Sequence, residues 1–489
     1  MLASCFATRA SFAQAPIQAE PSTISVTEPS SDVFYYNNRW YPPHDRTWSR
    51  IALRYADGTH GALVMPFVGW TNDDLNPDTL GTNNPAIGGR DERHLHALQY
   101  GIRAARDVQL SDNAVLTVSL DGLVERTRAS QRAGSNFPLR DEDITSLVSG
   151  PGLPSFAYST SDWISTVGDV AASLSLRWQV GRWTMVPAFR ADLFPVFVDG
   201  GATNQPTSIS HWPVAWEPRL SITYAPHPAV DLHASAGLYS QPPAAGDLSP
   251  DFGSPWLGPA HAGQASLGVR WHATASTTVD ATGFFRQAWD VAVRNAQPTV
   301  TPGQFLVPDG LARAYGAQFI VRKELTARLD TWLGYTVSRS EMRLGGADTS
   351  WAFPSPNRSW MVAPQDRTHI VTGVFAYRWR GWLSSARFRY TTGTPYTPVT
   401  GSFLSSSLDA YEPIYGAPNS GRVPAFMQAD ARIGRELHIG PSVGSVYFEV
   451  SNATSHHNGE AIIYSYNYTK SATVDAPLQS YLLGVRWEL

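Results

Sequence analysis

Few residues of this chain have the types and spacing that chemistry requires. His456 and His457, beside Asn458 and Glu460, could hold a metal ion in a loop. Adjacent residues of an extended segment point to opposite sides and a third ligand is not evident, so a solvated loop is the favoured interpretation. The acidic run 141–143 could attract a cation, but an isolated acidic triplet is more typical of a solvated surface. We therefore predict no metal site.

Motifs for catalysis and ligand binding are equally sparse. His211, Trp212 and Trp216 could stack against a sugar or an aromatic ligand, although aromatic residues also serve at a membrane interface. Glycine-rich stretches lack the Lys-Ser/Thr ending of a phosphate loop. The single cysteine, Cys5, excludes disulfide scaffolds and cysteine-based metal sites. The sequence thus predicts no enzyme, no catalytic residue and no cofactor.

Composition narrows the class of protein further. The 489 residues are 12% aromatic and only 16% charged, which excludes a disordered chain. The net charge of −4 supplies no basic surface, so no nucleic-acid partner is expected. No apolar run reaches the length of about 18 residues that a membrane helix needs. Strands in which apolar and polar residues alternate are the remaining way to cross a membrane.

Such alternation dominates the chain from the predicted strand at 48–56 onward. Apolar residues alternate with polar residues and glycine in 264–272, and 171–180 and 384–391 repeat the pattern. Because successive strand residues point to opposite faces, each segment has one apolar and one polar face. The chain is therefore predicted to be all-β, with about 16–18 strands that are long enough to cross a bilayer. They lie near 48–56, 60–70, 92–105, 112–124, 168–181, 183–194, 216–225, 228–239, 262–272, 275–290, 311–323, 327–341, 365–378, 380–393, 425–437, 444–453 and 478–489, with a short further strand near 33–40 or 460–467.

The connections between these strands alternate between tight turns and long loops. Tight turns are expected at 181–182, 226–228, 273–274, 380–381 and 440–441. Long loops are expected at 125–167, 195–215, 240–261, 291–310, 342–364, 394–424 and 454–477. Outer-membrane barrels have short periplasmic turns and long external loops, so the alternation predicts a large antiparallel transmembrane β-barrel.

Two sets of side chains are assigned to the two faces of this barrel. Aromatic residues beside the short turns are predicted to lie at the membrane interface. They are Trp178, Trp183, Tyr224, Trp271, Trp379, Trp382 and Trp487. Arginines on the polar faces are predicted to line a lumen too wide for side chains to fill. They are Arg177, Arg270, Arg286, Arg387, Arg389, Arg432 and Arg486.

The first 47 residues are interpreted as a signal-like and extended segment that precedes a barrel domain at 48–489. The run Phe12–Ala15 ends like a signal-peptidase site, but Arg9 interrupts the short apolar stretch before it, so a non-signal interpretation stays open. Residues 16–47 are rich in proline, serine and asparagine, which favours an extended conformation.

An ordered set of motifs lies within roughly 215–489: Arg313–Gln318, Gly334–Glu341, Asp366–His369, Arg389–Pro398, Val423–Arg432, Glu449–Thr454 and the closing strand Tyr481–Leu489. In order and spacing this set resembles the barrel of TonB-dependent outer-membrane receptors. In that closing strand Tyr481, Leu483, Val485, Trp487 and Leu489 resemble the insertion signal that the barrel-assembly machinery reads, with Leu489 in place of the usual phenylalanine.

The resemblance also has departures. The family barrel has about 22 strands around a plug, whereas strands here begin near residue 48 and leave no room for a plug. Thr23–Thr27 faintly resembles a TonB box, the extended segment that pairs with TonB by strand addition. The resemblance therefore implies a plugless or truncated form of the receptor, with TonB as a candidate partner.

Three functions follow from these observations. The resemblance implies uptake of a scarce solute, a siderophore or an oligosaccharide, across the outer membrane of a Gram-negative bacterium. A porin-like passive diffusion channel is the first alternative, because a barrel without a plug is open. A secreted soluble β-protein that binds carbohydrate is the second. Both the receptor and the channel hypotheses require outer-membrane lipid around the apolar faces of the barrel.

Overall fold

The computed structural model describes residues 15–26, 44–57, 61–75, 92–133, 159–201, 207–295, 303–326, 329–344, 359–405, 410–439, 442–464, 467–475 and 479–488. The strands are β1 Ala15–Val26, β2 His44–Asp57, β3 Ala62–Leu75, β4 Glu92–Ser111, β5 Ala114–Ala133, β6 Ser159–Val180, β7 Trp183–Leu193, β8 Val196–Gly200, β9 Thr207–His211, β10 Val214–His227, β11 Val230–Gln241, β12 Ala260–Thr274, β13 Thr277–Arg294, β14 Leu306–Thr326, β15 Leu329–Arg343, β16 Met361–Val362, β17 His369–Trp379, β18 Trp382–Thr391, β19 Pro395–Tyr396, β20 Val399–Ser405, β21 Ala410–Tyr415, β22 Gly421–Arg422, β23 Phe426–Ile439, β24 Ser442–Ser451, β25 Gly459–Tyr464, β26 Ser471–Asp475 and β27 Ser480–Glu488. The described residues contain one helix, a single-turn 3₁₀ helix at Ala245–Leu248. No described helix has the length and apolar character needed to cross a membrane.

One antiparallel sheet contains 21 of these strands, which confirms the predicted fold class. Three of them, β8, β9 and β16, are short pieces beside longer neighbours. The other 18 form a meander in which each pairs with the next along the chain, from β1–β2 to β24–β27. Short turns collect at one end of the sheet, the turn end, and long connections at the other, the loop end.

Turn chemistry fixes the hairpins at the turn end. Arg380 and Gly381 join β17 to β18, and both have positive φ, 47° and 81°. That combination gives the primed two-residue turn whose twist matches the flanking strands, and glycine adopts it without steric cost. Gly181 has φ of 59° in the corresponding turn between β6 and β7. The expected turns at 181–182 and 380–381 are therefore confirmed.

The strand pattern gives the sheet two different faces. Alternate residues of each long strand are apolar and exposed, and this side is called the outer face. Its members include Leu53, Leu98, Leu174, Leu267, Phe375, Phe388, Ile433 and Leu483. The opposite side, the inner face, carries serine, threonine, glycine and charged residues. Leu267 on β12 is 69% exposed although it lies mid-strand, so the outer face is apolar surface that the chain itself does not cover.

Three sequence expectations differ from the structure. The 17 main strand predictions all coincide with strands, but the eighteenth is β1, since 459–464 pairs with 471–475 in a separate hairpin and 33–40 lies outside the described residues. The expected loop at 195–215 was wrong, because β8 and β9 continue the sheet there. The strands predicted at 112–124 and 168–181 are longer than expected, because β5 and β6 stay paired with each other as far as Ala133 and Ser159, beyond the apolar residues that signalled them.

The predicted N-terminal segment contains strand β1, which pairs with β2 from Ala15 to Val26. Thr23 lies opposite Ser49 in this ladder, so the first residues of the TonB-box-like run form part of the sheet. Residues 1–14 lie outside the described residues, and the division of the chain at residue 47 stays a prediction.

Candidate functional site

Two of the predicted lumen arginines bind carboxylates on the next strand of the inner face. Arg270 Nε donates to Asp280 Oδ2 at 3.0 Å, and Arg387 Nε donates to Asp430 Oδ2 at 2.8 Å. In each pair the two residues lie opposite or nearly opposite in adjacent strands, so the strand register brings the charges together. Arg177 is exposed on the same face of β6, and the described residues offer it no ion pair.

Arg389 contacts an amide group, and Arg432 contacts an aromatic ring while its guanidinium also lies 3.9 Å from the Glu449 carboxylate on the next strand. An Arg389 guanidinium nitrogen donates to Gln428 Oε1 at 3.0 Å, and the Arg432 guanidinium lies 3.5 Å from the centre of the Tyr447 ring. Such stacking favours a cation over an aromatic face. The backbone of Arg486 pairs with Ser445, but its side chain lies outside the described residues, so its place on the inner face stays a prediction.

A denser charge cluster on the inner face was missed by sequence reasoning. Arg190 on β7 binds Asp121 at 2.5 Å, Asp192 at 2.8 Å and Asp169 at 3.5 Å. Asp121 also accepts a bond from Arg103 at 2.9 Å. Three carboxylates and two guanidiniums give this cluster, the Arg190 cluster, a formal charge of −1. Its members come from four strands, so the sequence alone could reveal it only if the register of β4 to β7 were known.

A loop between β11 and β12, residues 242–259, turns inward and is called the inner loop. Leu248 and Leu257 are almost fully buried against Trp163 and other apolar residues of the inner face at the loop end. The Trp163 indole also donates to the Ala245 carbonyl oxygen at 3.3 Å. The packing of these apolar side chains forms the apolar core of the described residues. It therefore holds the inner loop against one side of the inner face.

A polar network at the loop end joins four segments of chain and is called the Asp366 network. The Asp366 carboxylate is fully buried and accepts bonds from the Ser340 backbone N–H at 2.6 Å and the Thr368 hydroxyl at 3.1 Å. It also forms an ion pair with Arg422. The same guanidinium donates to the Gly393 carbonyl oxygen at 2.9 Å. Buried charge is tolerated here because each partner satisfies the other.

Two hairpins beyond the main sheet, β20–β21 and β25–β26, contact each other and are called the mouth hairpins. The Val399 N–H donates to the Tyr464 hydroxyl at 3.1 Å, and the Ser402 hydroxyl donates to the Asn467 carbonyl oxygen at 2.7 Å. Burial and the neighbouring Tyr464 phenol raise the pKa of Tyr396 above its usual value. The phenol of Tyr464 on β25 thus lies beside that of Tyr396 on β19 at the loop end.

The predicted interface aromatics cluster beside the short turns on the outer face. The rings of Trp183 and Tyr224 stack with centroids 4.3 Å apart. The others with described side chains are all substantially exposed: Trp178, Trp271, Trp379 and Trp382. The side chain of Trp487 lies outside the described residues. Contact of these rings with a membrane interface stays a prediction.

The closing strand presents its alternate residues in the same way. Tyr481, Leu483 and Val485 are strongly exposed on the outer face of β27. The backbone of Trp487 pairs with Gly444, whereas Leu489 lies outside the described residues. Their role as an insertion signal stays a prediction.

The remaining candidates from the sequence do not come together as one site. His457 Nδ1 lies 2.9 Å from Asp475, whereas the backbone N–H of His456 binds Asn452. His211 lies within hydrogen-bonding distance of a carbonyl oxygen of the inner loop, while Trp216 stacks on an outer-face ring instead. The acidic run 141–143 lies outside the described residues.

The comparisons with known proteins give one consistent family. The model of the TonB-dependent receptor-like β-barrel matches residues 9–453. The chain belongs to this family. No curated protein matches the sequence significantly.

Solved structures of TonB-dependent receptors share the fold at low sequence identity. The ferric yersiniabactin uptake receptor FyuA from Yersinia pestis has a TM-score of 0.57 at 13% identity, over 93% of this chain and 64% of that chain. The FrpB iron transporter from Neisseria meningitidis has 0.56 at 15%, over 90% and 62%. The unliganded ferric citrate transporter FecA has 0.55 at 16%, over 92% and 62%. This chain therefore spans less than two thirds of the length of each.

Proposed function

We propose that this TonB-dependent receptor barrel lies in the outer membrane of a Gram-negative bacterium and serves uptake of a scarce small solute. The observation that carries the proposal is the outer face, on which Leu267 and Leu483 are 69% and 73% exposed within regular strands. Soluble monomers rarely expose contiguous apolar surface of this extent. Lipid would cover it, while the polar inner face would enclose water.

The positions of turns and aromatic rings give the barrel its orientation in this proposal. The turn end, with the Trp183–Tyr224 stack, would face the periplasm, and the loop end would face the exterior. β27 would then carry the signal for the barrel-assembly machinery, and TonB would be the partner in energised uptake.

A ferric siderophore is the solute that we favour, with an oligosaccharide as the rival. The structurally similar FyuA and FecA are named for ferric yersiniabactin and ferric citrate, and PiuA from Acinetobacter baumannii is named as a siderophore receptor. In this chain the phenol of Tyr464 on a mouth hairpin meets that of Tyr396 on β19. Aromatic rings there would stack on a catecholate or on a sugar ring.

Membrane placement is tested by fractionation of cells that express the full chain. We expect the protein in the outer-membrane fraction after carbonate washing, and heat-dependent mobility on SDS gels. Recovery as a monodisperse protein in detergent-free buffer would overturn the proposal and favour a soluble carbohydrate-binding protein.

Solute class is tested by tryptophan quenching of the purified protein in detergent. We expect ferric catecholate siderophores to quench saturably, with binding weakened at least tenfold by Tyr464→Ala and unchanged by Tyr377→Ala on the outer face. Quenching by oligosaccharides alone would reassign the solute. Equal binding by both variants would remove the mouth hairpins from the site.

A passive diffusion channel is the second candidate function. The exposed Arg103 and Arg177 on the inner face favour it, because they leave charged groups in contact with lumen water. Conductance of the purified chain in planar bilayers, together with solute uptake that is equal in cells with and without TonB, would establish the channel over the receptor.

A further inference from the structure

A His-Asp-His cluster lies on the outer face of β3 and β4, away from the inner wall. In the ladder between these strands Asp74 pairs with His94, and Asn72 pairs with His96. All four residues share a face with Trp70, which is 44% exposed. Because side chains alternate along a strand, the cluster lies two to four residues beyond the last apolar position, toward the loop end. It is therefore separate from the solute path of the proposed function.

The potential ligand atoms are already close together. His94 Nδ1 is 2.8 Å and His96 Nε2 is 3.5 Å from the same Asp74 oxygen. One ligand atom from each of the three residues lies within 4.8 Å of the others. Ligands bound at about 2.0–2.1 Å to tetrahedral zinc are about 3.3 Å apart. The cluster needs only small side-chain rotations to reach that geometry.

Asn72 sets the tautomer of His96 that a metal ion requires. His96 Nδ1 lies 2.9 Å from Asn72 Oδ1, which can only accept, so Nδ1 carries the proton and Nε2 keeps its lone pair. That lone pair is directed toward Asp74. The Asn72 amide is itself held by a bond from its Nδ2 to the Thr47 hydroxyl at 3.4 Å. A ligand histidine whose other nitrogen donates to a fixed oxygen is the usual arrangement around zinc.

Other histidine–carboxylate contacts in the described chain lack a third ligand. His272 Nε2 lies 2.9 Å from Asp231 Oδ2, an ordinary hydrogen-bonded pair near the turn end. Among the described residues, Asp74, His94 and His96 form the group of three metal-ligating side chains whose ligand atoms lie close enough to share one ion. Two imidazoles and one carboxylate suit divalent transition metals, whereas calcium and magnesium prefer oxygen alone.

We propose that Asp74, His94 and His96 bind a divalent transition-metal ion, with Zn²⁺ as the natural choice, on the outside of the barrel. The ion would join β3 to β4 just above the apolar surface. Arg128 on β5 lies opposite His96 in the ladder and shares its face, so it adds a positive charge beside the site. Because the Arg128 guanidinium repels a bound cation, its removal should strengthen cation binding.

The test is isothermal titration of the full chain in detergent with ZnCl₂, after purification through a tag without histidine. We expect one Zn²⁺ per chain, and a Co²⁺ complex with the visible spectrum of nitrogen-ligated cobalt. His94→Gln and His96→Gln should abolish both signals. Asn72→Leu should weaken zinc binding about 10–100-fold, because it removes the acceptor that orients the His96 ring. Arg128→Gln should tighten it severalfold.

His272→Gln is the matched control, because it removes a histidine from a two-member pair that has no third ligand. We expect zinc binding equal to that of the original chain. The proposal is overturned if the original chain binds no zinc at millimolar concentration, or if the His94 and His96 variants bind it equally well. Heat-dependent gel mobility of every variant verifies folding, and Asn72→Leu, which retains all three ligands, keeps the test decisive if a ligand variant fails to fold.

Discussion

Replacement of Asp366 by alanine is expected to destabilise the barrel more than any exposed charge change. The carboxylate is fully buried, and it neutralises Arg422 while accepting the Ser340 N–H and the Thr368 hydroxyl. Loss of one partner of a buried ion pair costs about 3–5 kcal/mol. Because the Arg422 side chain is 28% exposed and retains some water, we expect a value near the lower limit, about 3 kcal/mol.

The free energy of unfolding is measured by tryptophan fluorescence during guanidinium titration of the barrel in lipid vesicles. Arg270→Gln is the control, since that side chain is 50% exposed and its pair with Asp280 should contribute less than about 1 kcal/mol. The double variant Asp366→Ala, Arg422→Ala should lose less free energy of unfolding than the two single variants together, because the second change removes the Arg422 charge that the first leaves unpaired. A cost for Asp366→Ala below that of Arg270→Gln would refute the reasoning.

Three further outcomes follow from other contacts. Gly393→Ala would place a Cβ atom 1.7 Å from the Val423 carbonyl oxygen, so we expect folded yield on heat-modifiability gels to fall sharply; normal yield would contradict the backbone placement. Tyr464→Phe should lower the raised pKa of Tyr396 toward its usual value, which an alkaline absorbance titration detects as earlier ionisation; an unchanged titration would contradict it. Leu248→Ala should cost about 2–5 kcal/mol of unfolding free energy, measured as above, and a loss under 1 would show that the inner loop is not anchored.

The sheet was predictable from the sequence wherever apolar residues alternate with polar ones. Leu267 belongs to such a run, and the strand that contains it was placed within two residues at each end. The run around Leu174 gave the C-terminal end of β6, whereas the residues from Ser159 to 167 were not predicted as strand. The upper part of β5 was not predictable, because Arg126 and Arg128 occupy its outer face and Thr127 its inner face, so neither face is apolar. Periodicity in hydrophobicity cannot reveal a strand that has two polar faces.

The Asp366 network and the Asp74–His94–His96 cluster depend on contacts between distant residues, which no local pattern in the sequence reveals. The motif that begins at Asp366 was noticed only as a resemblance, and the structure gives its physical reason in the bond to Arg422, 56 residues away. His94 and His96 have the spacing of two ligands on one strand face, but the sequence was interpreted as having no metal site and this pair was not singled out. Asp74, the third ligand, lies across a ladder whose register the intervening long connection leaves undetermined.

The unequal strand lengths give the protein a high rim on one side and a low rim on the other. β4, β5 and β6 contain 20, 20 and 22 residues, whereas β17 and β18 contain 11 and 10. The longer strands have roughly nine more residues than the shorter ones, and at about 3.3 Å per residue this difference corresponds to about 30 Å along the strand. The two mouth hairpins follow short strands in the chain, β18 and β24, which contain 10 residues each. The loop end is therefore uneven: the mouth hairpins extend beyond short strands, whereas on the flank of β4 to β6 the sheet itself continues further through backbone pairing.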